Sequence, residues 1–377
     1  MPRWPARPGQ CPTTTCRSRL PCPASSRRAG DQTAEANALN CLGGIAVRQD
    51  QFAQAAQSYQ QALALSTTTG ELGSQASAQY GLGAINDAQG RYAAANEHYL
   101  RALSLFREAG YQAGEALALA GLGTGSMRQG RYQRAAGYLR QVLPLSRQIG
   151  DRVSESYALA VLAGLELRQG RYQQASRHYH QVQTLAAEVG DRGGQASAHN
   201  GFGGIAAREG RYRQAAEHHR QAQALYQKIG DLAGQGVALN RLGNIAARQG
   251  RHQQAAEHYR QARALYHEIG VRSGEAEALN GFGPVLLATG QADDARTQHT
   301  IALDLASQIS DKYEQARAHE GLGHAHQALD DRGQARLHWD QSLALFTALD
   351  VPDADRVAAT LKENSSAAEA GQRSGSR

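Results

Sequence analysis

The chain contains GRYQQASRHY at Gly170–Tyr179, GRYRQAAEHH at Gly210–His219 and GRHQQAAEHY at Gly250–Tyr259, almost the same ten residues every forty positions. Glycines carry this period through the body of the chain in two columns that are twenty residues apart. The columns are Gly70, Gly110, Gly150, Gly190, Gly230 and Gly270, and Gly90, Gly130, Gly170, Gly210, Gly250 and Gly290. Each window between glycines is long enough for one helix of about four to five turns, and glycine suits the left-handed cap at a helix C-terminus. Each forty-residue unit is therefore predicted to be a helical hairpin.

The apolar residues follow the same plan. In the second half of one unit, Ala255, Tyr259, Ala262 and Leu265 are spaced by four, three and three residues, which places them on one face of a helix. One hairpin cannot bury such a stripe alone, whereas stacked hairpins bury the stripes of their neighbours. The sequence therefore predicts an all-α solenoid of eight units, with the bounds 31–70, 71–110, 111–150, 151–190, 191–230, 231–270, 271–310 and 311–350.

The two ends of the chain depart from the repeat. Residues 1–30 hold six of the nine prolines and no apolar period, so they are predicted to be a disordered tail. Because the repetition begins abruptly after them, we hypothesise a truncated or wrongly started reading frame with further domains upstream. Pro352 is predicted to open a capping helix at 351–363, followed by a disordered tail at 364–377. Pro144 and Pro284 fall inside predicted helices, where we expect kinks.

Charge and cysteine content narrow the class of protein. The formal net charge is +6, but residues 1–30 contain six arginines and no acidic residue, so the remainder is formally neutral. A basic surface for nucleic acid is therefore not expected on the body. Cys11, Cys16 and Cys22 match no common zinc spacing, and we expect neither a metal nor a cofactor. No apolar run is long enough to span a membrane, and a cytoplasmic location is expected.

The segment LNRLGNIAARQGRHQQAAEHYRQARAL resembles a tetratricopeptide repeat. The residues that stand in the family's relative order are Leu242, Gly243, Gly250, Ala255, Tyr259 and Ala262. The unit of forty residues departs from the family's usual length of about thirty-four. In this length it is similar to arrays in Pins/LGN-type adaptors and in the regulatory arms of actinobacterial AfsR-type regulators. The resemblance implies a right-handed superhelix whose first helices line a concave groove.

One face of the first helix is the candidate binding surface. Positions 37, 40, 44 and 48, and their equivalents at steps of forty, fall in a narrow arc, because three, seven and eleven residues turn by about 300°, 340° and 20°. The resemblance places this arc in the groove. The candidate residues on it are Asn40, Asn200, Asn240, Asn280, Asn244, His324, Arg48, Arg128, Arg168, Arg208 and Arg248. Amides can hydrogen-bond an extended peptide and arginines can pair with carboxylates, which predicts a somewhat acidic ligand. The alternative is that these residues are ordinary solvated side chains.

Patterns of catalytic or metal chemistry are weak. A histidine column in the second helices supplies one histidine per unit, so its members do not converge on one ion. HEGLGH at His319–His324 misses the zinc-protease spacing by one residue, and GLGTGS at Gly121–Ser126 lacks the lysine and the strand of a phosphate loop. No catalytic, cofactor or metal site is therefore predicted.

Three functions are compatible with this reading. The first is a non-catalytic protein-interaction module that binds a peptide or helical segment in the groove, and we expect no nucleic-acid or membrane partner. The second is a sensory arm of a transcription regulator or signalling ATPase, whose other domains would lie upstream. The third resembles the repeat-containing response-regulator phosphatases, which need an additional helical bundle for which residues 1–30 are too short.

Overall fold

The computed structural model describes residues 32–49 and 51–375, with the side chains of Arg48 and of residues 365–375 left undescribed. The predicted tail at 1–30 lies outside these residues. The described part of the chain forms seventeen α-helices and no strand. They are α1 (Gln32–Arg48), α2 (Phe52–Thr69), α3 (Leu72–Ala88), α4 (Tyr92–Glu108), α5 (Gln112–Arg128), α6 (Tyr132–Ile149), α7 (Arg152–Arg168), α8 (Tyr172–Glu188), α9 (Arg192–Arg208), α10 (Tyr212–Ile229), α11 (Leu232–Arg248), α12 (His252–Glu268), α13 (Arg272–Ala288), α14 (Ala292–Gln308), α15 (Lys312–Ala328), α16 (Arg332–Leu349) and α17 (Asp353–Gly375).

Each repeat unit is a hairpin of one odd-numbered and one even-numbered helix. Every helix packs against its predecessor and its successor, and the odd-numbered helices also contact the next odd-numbered helix. Consecutive hairpins thus stack into a solenoid that buries the apolar stripes between units. The predicted all-α solenoid is confirmed.

The turns between helices depend on a left-handed residue every twenty positions. All twelve glycines of the two columns have φ between 66° and 79°. Where the columns lack glycine, Ser310, Asp330 and Asp350 adopt φ of 55°, 60° and 53°. Asp191 and Asp231 cap the first helices that follow, because their carboxylates accept hydrogen bonds from the first-turn N–H groups.

Contact between units is made by an aromatic ring that packs against glycines. The ring of Tyr59 lies between Gly43 of its own unit and Gly81 of the next unit, where a Cβ would overlap it; at Gly43 the distance would be 2.8 Å. Tyr259 lies in the same way against Gly243, where the distance would be 2.9 Å, and against Gly281. The glycines therefore bring successive first helices as close as the ring allows.

The stack closes on itself along a seam, which we define as the contacts that Gly90, Gly130 and Gly170 make with Ile309, Leu349 and Pro352, respectively. The main apolar core is continuous across the seam, since it contains residues between 76 and 165 together with residues between 316 and 357. The seam joins residues about 180 to 220 positions apart in the sequence. It encloses the space in front of the middle units.

The C-terminal helix is longer than predicted. It runs to Gly375, past the predicted end of the capping helix at 363, and residues 376 and 377 lie outside the described part. The segment contains no proline and several alanines, and extending an existing helix costs far less than starting one. Pro144 and Pro284 lie inside helices that continue past them, and the kinks there stay a prediction.

Among the described residues no helix has both the length and the apolar character needed to cross a membrane.

Substitution of Gly81 by alanine tests the contact between ring and glycine. The new methyl group would overlap the Tyr59 ring, and such overpacking typically costs about 1–3 kcal/mol, which outweighs the roughly 1 kcal/mol that alanine gains over glycine in a helix. We expect the urea midpoint of unfolding to fall.

Gly164→Ala is the matched control, because the nearest atom to its new methyl group would be Tyr179 Oη at 3.7 Å, an ordinary contact. This variant should keep or raise the midpoint. Equal midpoints for the two variants would contradict the packing described here.

Candidate functional site

A cavity of about 460 Å³ lies in front of the middle units. Its lining comes mainly from the first helices α7, α9 and α11, with further residues from α5, α8, α10, α13, α15 and α17. We call the cavity-lining faces of the odd-numbered helices the inner wall. The seam encloses this cavity, because it holds the beginnings of α15 and α17 next to the units that precede α9.

Two arginines of the predicted column are available to a ligand. Arg208 and Arg248 line the cavity from the last turns of α9 and α11, and both are exposed. Within the described part of the chain, neither guanidinium has a hydrogen bond or an ion pair with another residue. They therefore present two unpaired positive charges at equivalent positions of neighbouring units.

Arg168 lies on the same wall but is engaged by the protein. Its guanidinium stacks over the ring of Tyr313 at 4.4 Å from the centroid. A cation over an aromatic face contributes about 0.5–2 kcal/mol, more when it is desolvated. Because Tyr313 belongs to α15, Arg168 links the inner wall to the far side of the seam.

Arg128 supports the seam instead of the cavity. It lies over Tyr92 at 5.5 Å from the ring centroid, and its guanidinium reaches the Tyr92 hydroxyl at 3.4 Å and Ser273 Oγ at 3.5 Å. Ser273 belongs to α13, four units further along the chain. Arg48, the first member of the column, has a side chain outside the described residues.

Three of the four asparagines at position 40 do not line the cavity, namely Asn40, Asn240 and Asn280. Asn240 and Asn280 are 0% and 2% exposed, so a groove position is wrong for both. Asn280 Nδ2 donates to the carbonyl oxygen and to Oε2 of Glu314, each at 3.0 Å. Asn40 Nδ2 likewise donates to the carbonyl oxygen of Ser74 at 3.0 Å, and Asn40 does not line the cavity. At these three residues position 40 lies at the edge of the arc, away from the cavity.

Asn200 and Asn244 do line the cavity. Asn200 Oδ1 accepts a hydrogen bond from His219 Nδ1 at 3.0 Å, and Asn244 Oδ1 accepts one from Tyr259 Oη at 2.9 Å. The hydroxyl of Tyr259 thus orients the Asn244 amide and leaves its Nδ2 group to donate elsewhere. His324 does not line the cavity, and its ring lies edge-on to Trp339 with the centroids 5.4 Å apart.

Two ion pairs on the inner wall were not predicted from the sequence. Arg241 pairs with Glu277 at 3.1 Å and Arg317 with Glu314 at 3.0 Å. Burial alone raises the pKa of Glu277, but Arg241 and Arg317 outweigh it and hold that pKa below its usual range. Glu277 and Arg317 occupy position 37 of the repeat, which belongs to the predicted arc. Their charges could therefore have been used to predict them as residues of the binding surface.

Arg241 could have been identified from a different pattern in the sequence, because it occupies a column that is glycine in most units. The ring from the preceding unit normally packs there, as Tyr59 does against Gly81. Before Arg241 the ring position holds His219, which is smaller than tyrosine. Arg241 itself lines the cavity.

The two buried histidines of the ring column are uncharged. His219 and His299 are each 1% exposed, and burial lowers the pKa of both to about 3. His299 Nδ1 donates to Asn280 Oδ1 at 3.1 Å, as His219 does to Asn200. The charges of the cavity are therefore those of arginines and carboxylates. In the described part of the chain, no three His, Cys, Asp or Glu side chains are grouped so as to hold a metal ion.

Family models described as "Tetratricopeptide repeat" match residues 34–108, 118–153, 156–228, 194–268 and 240–307. The chain belongs to the tetratricopeptide repeat family. No curated protein matches it by sequence.

Solved structures share the fold at low sequence identity. The chain is similar to a Rap protein complexed with Competence and Sporulation Factor, with a TM-score of 0.66, 14% identity and coverage of 85% of this chain and 86% of that one. It is also similar to the Rap conjugation gene regulator of plasmid pLS20 in complex with the Phr* peptide, with a TM-score of 0.63, 11% identity and coverage of 89% and 100%. A third similar structure is the signal transduction ATPase with a tetratricopeptide repeat sensor from Pyrococcus horikoshii, with a TM-score of 0.50 and 12% identity. There the match covers 78% of this chain but only 48% of that one.

The buried histidines predict how stability depends on pH. An unfolded imidazole takes up a proton near pH 6.5, whereas folded His299 resists protonation until about pH 3, so stability is lost as the pH falls below 6.5. At pH 5 the loss from one such group is about 2 kcal/mol. His299→Tyr restores the tyrosine of other units, next to Gly283 and Gly321, and we expect its urea midpoint to fall less between pH 7.5 and pH 5 than that of the wild type.

His267→Tyr is the control, because the side chain of His267 is 82% exposed. Its midpoint should follow that of the wild type. An equal loss of stability in His299→Tyr and His267→Tyr would show that His299 is not the titrating group.

Proposed function

We propose that this chain is a non-catalytic interaction module that binds an extended, somewhat acidic peptide segment of a partner in its cavity. The observation that carries the proposal is the pair of exposed arginines, Arg208 and Arg248, which line the cavity without an internal counter-charge. Internal carboxylates already neutralise Arg241 and Arg317 on the same wall. A ligand with carboxylates would complete the charge balance.

The rest of the lining suits a polypeptide backbone. Gly164 leaves an open stretch of the inner wall, and Val161 and Val237 provide apolar contact beside it. The oriented Asn244 amide can donate its Nδ2 hydrogens to a peptide carbonyl. Hydrogen bonds to the main chain of the peptide, made beside apolar surface, are a usual means of holding an extended peptide. The fold likeness to a Rap regulator in complex with the Phr* peptide supports the same class of ligand.

A sensory role within a larger regulator is the second candidate, and Arg168 favours it. This residue lines the cavity and also stacks on Tyr313 across the seam, so a ligand that displaces its guanidinium changes a contact between distant units. The likeness to an ATPase with a repeat sensor agrees with such a role. The similarity to Pins/LGN-type adaptors and AfsR-type regulators, and the cytoplasmic location, stay predictions.

A phage-displayed library of random 12-residue peptides tests peptide binding. Wild-type protein should enrich peptides that do not bind Gly164→Phe, because a phenyl group at this position fills part of the cavity. Gly164→Ala should bind the same peptides as the wild type, which shows that the helix tolerates a side chain here. Unfolding midpoints of the variants check that the fold is intact.

Two results would refute the proposal. One is that no peptide is enriched over several rounds of selection. The other is that all enriched peptides bind Gly164→Phe as tightly as the wild type, which places their site outside the cavity.

A further inference from the structure

Two pairs of histidines join the two helices of a single hairpin, and we propose that each pair binds one divalent transition-metal ion of the class of Ni²⁺, Cu²⁺ and Zn²⁺. In the unit 191–230, His199 of α9 contacts His218 of α10, and in the unit 311–350, His319 of α15 contacts His338 of α16. The histidine column of the second helices gives one imidazole per unit, and in these two units the first helix supplies a second. None of the four residues lines the cavity, so these sites are separate from the proposed function.

The distance between the ring nitrogens fits two ligands of one ion. The Nδ1 atoms of His319 and His338 are 3.0 Å apart, and those of His199 and His218 are 3.3 Å apart. With metal–nitrogen bonds of about 2.0–2.1 Å, ligands at right angles stand about 2.8–3.0 Å apart and tetrahedral ligands about 3.3–3.4 Å apart. Both pairs therefore have a ligand separation already set by the packing of the hairpin, and imidazole suits zinc, copper and nickel.

The packing of the hairpin does not require either pair. His199 and His319 occupy a position of the first helix that is leucine in five of the other units, namely Leu39, Leu119, Leu159, Leu239 and Leu279. In the unit that combines Leu239 with His258, the Nδ1 atom of His258 has no hydrogen-bond partner in the described part of the chain. The second imidazole is thus an addition of two units and not a demand of the fold.

The four imidazoles are in the protonation state that metal binding needs, since only neutral histidine is a ligand. Burial lowers the pKa of His319 to about 4, and it also lowers the pKa of His199, His218 and His338. Within each pair, the Nδ1–H group of one ring donates to the Nδ1 atom of the other. A neutral imidazole can instead carry its hydrogen on Nε2, so both Nδ1 lone pairs become available to one ion without loss of a proton.

Each site offers two protein ligands, and water completes the coordination. His326 stacks on His338 with the ring centroids 5.4 Å apart, but in the part of the chain that the structure describes no three His, Cys, Asp or Glu side chains converge on one ion. All four rings of the pairs are half-buried, so solvent reaches them. An ion bound here would tie the first helix of a unit to its second helix.

Equilibrium dialysis of the tag-free full-length chain against Ni²⁺ alone counts the bound ions. Wild-type protein should bind two more ions per chain than His199→Leu/His319→Leu, and each single variant should bind one fewer than the wild type. Even the loss of an outer partner of a metal ligand costs about 10–100-fold in affinity, so the loss of a ligand should weaken Ni²⁺ binding about tenfold or more. Ions held by cysteines or by single histidines are common to all variants, so the difference reports the pairs.

His98→Gln/His258→Gln is the matched control. It removes two histidines of the same column from units in which the first helix supplies Gln79 and Leu239, and glutamine already occurs at this position as Gln298. This variant should bind as many ions as the wild type.

Unfolding in urea provides a second measurement, because a ligand that binds the folded chain raises its stability. Ni²⁺ should raise the urea midpoint of the wild type and of the control variant more than that of His199→Leu/His319→Leu. His218→Gln/His338→Gln removes the other ligand of each pair and should behave as the leucine variant does. Midpoints without Ni²⁺ check that each variant is folded.

Two results would overturn the proposal. One is that the wild type binds no more ions than both of the variants that break the pairs. The other is that the control variant loses as many ions as those variants, which would show that the histidines bind singly. Neither result bears on peptide binding in the cavity.

Discussion

The whole stack depends on the contact between an aromatic ring of one unit and a glycine of the next. Tyr59 against Gly81 and Tyr259 against Gly281 show the arrangement. Any side chain in place of the glycine would push the first helices apart, and any small residue in place of the ring would leave a void, both of which are costly in a close-packed interior. This constraint sets the distance between units, and it is repeated often enough to set the curvature of the solenoid. Two units depart from this arrangement: Val161 follows Leu139 and Arg241 follows His219, each in place of a glycine that follows a tyrosine.

Curvature then creates the cavity. The seam brings Ile309, Leu349 and Pro352 against the turns of much earlier units, and Arg128 and Arg168 reach across it to Ser273 and Tyr313. The space that the seam encloses belongs to no single hairpin. A ligand there contacts several units at once, so its binding energy can favour one degree of closure over another. Binding and the shape of the solenoid are coupled through the same residues.

Most of the fold was predictable from the sequence because every repeat unit shows the same positions for its turns and for its apolar residues. The glycine columns marked the turns, and the apolar stripes gave the helices. The seam was not predictable, since contacts between residues such as Gly90 and Ile309 leave no local pattern. Within the candidate site, Arg208 and Arg248 were predicted to face the groove and do line the cavity. Asn240 and Asn280 were misplaced, because position 40 is at the edge of the arc, about 60° from position 37.

The same packing rule decides where binding chemistry can occur. Ring and glycine positions are used for contact between units, and at position 40 Asn40 and Asn280 hydrogen-bond the next first helix. Positions such as 37, 44 and 48 of the first helix are free to vary on the inner wall. These are the positions at which Glu277, Asn244 and Arg248 occur. Arg241 is a charge that occupies a packing column, where it follows His219 in place of tyrosine, but most charged residues of the cavity lining stand at positions that the contact between units leaves free.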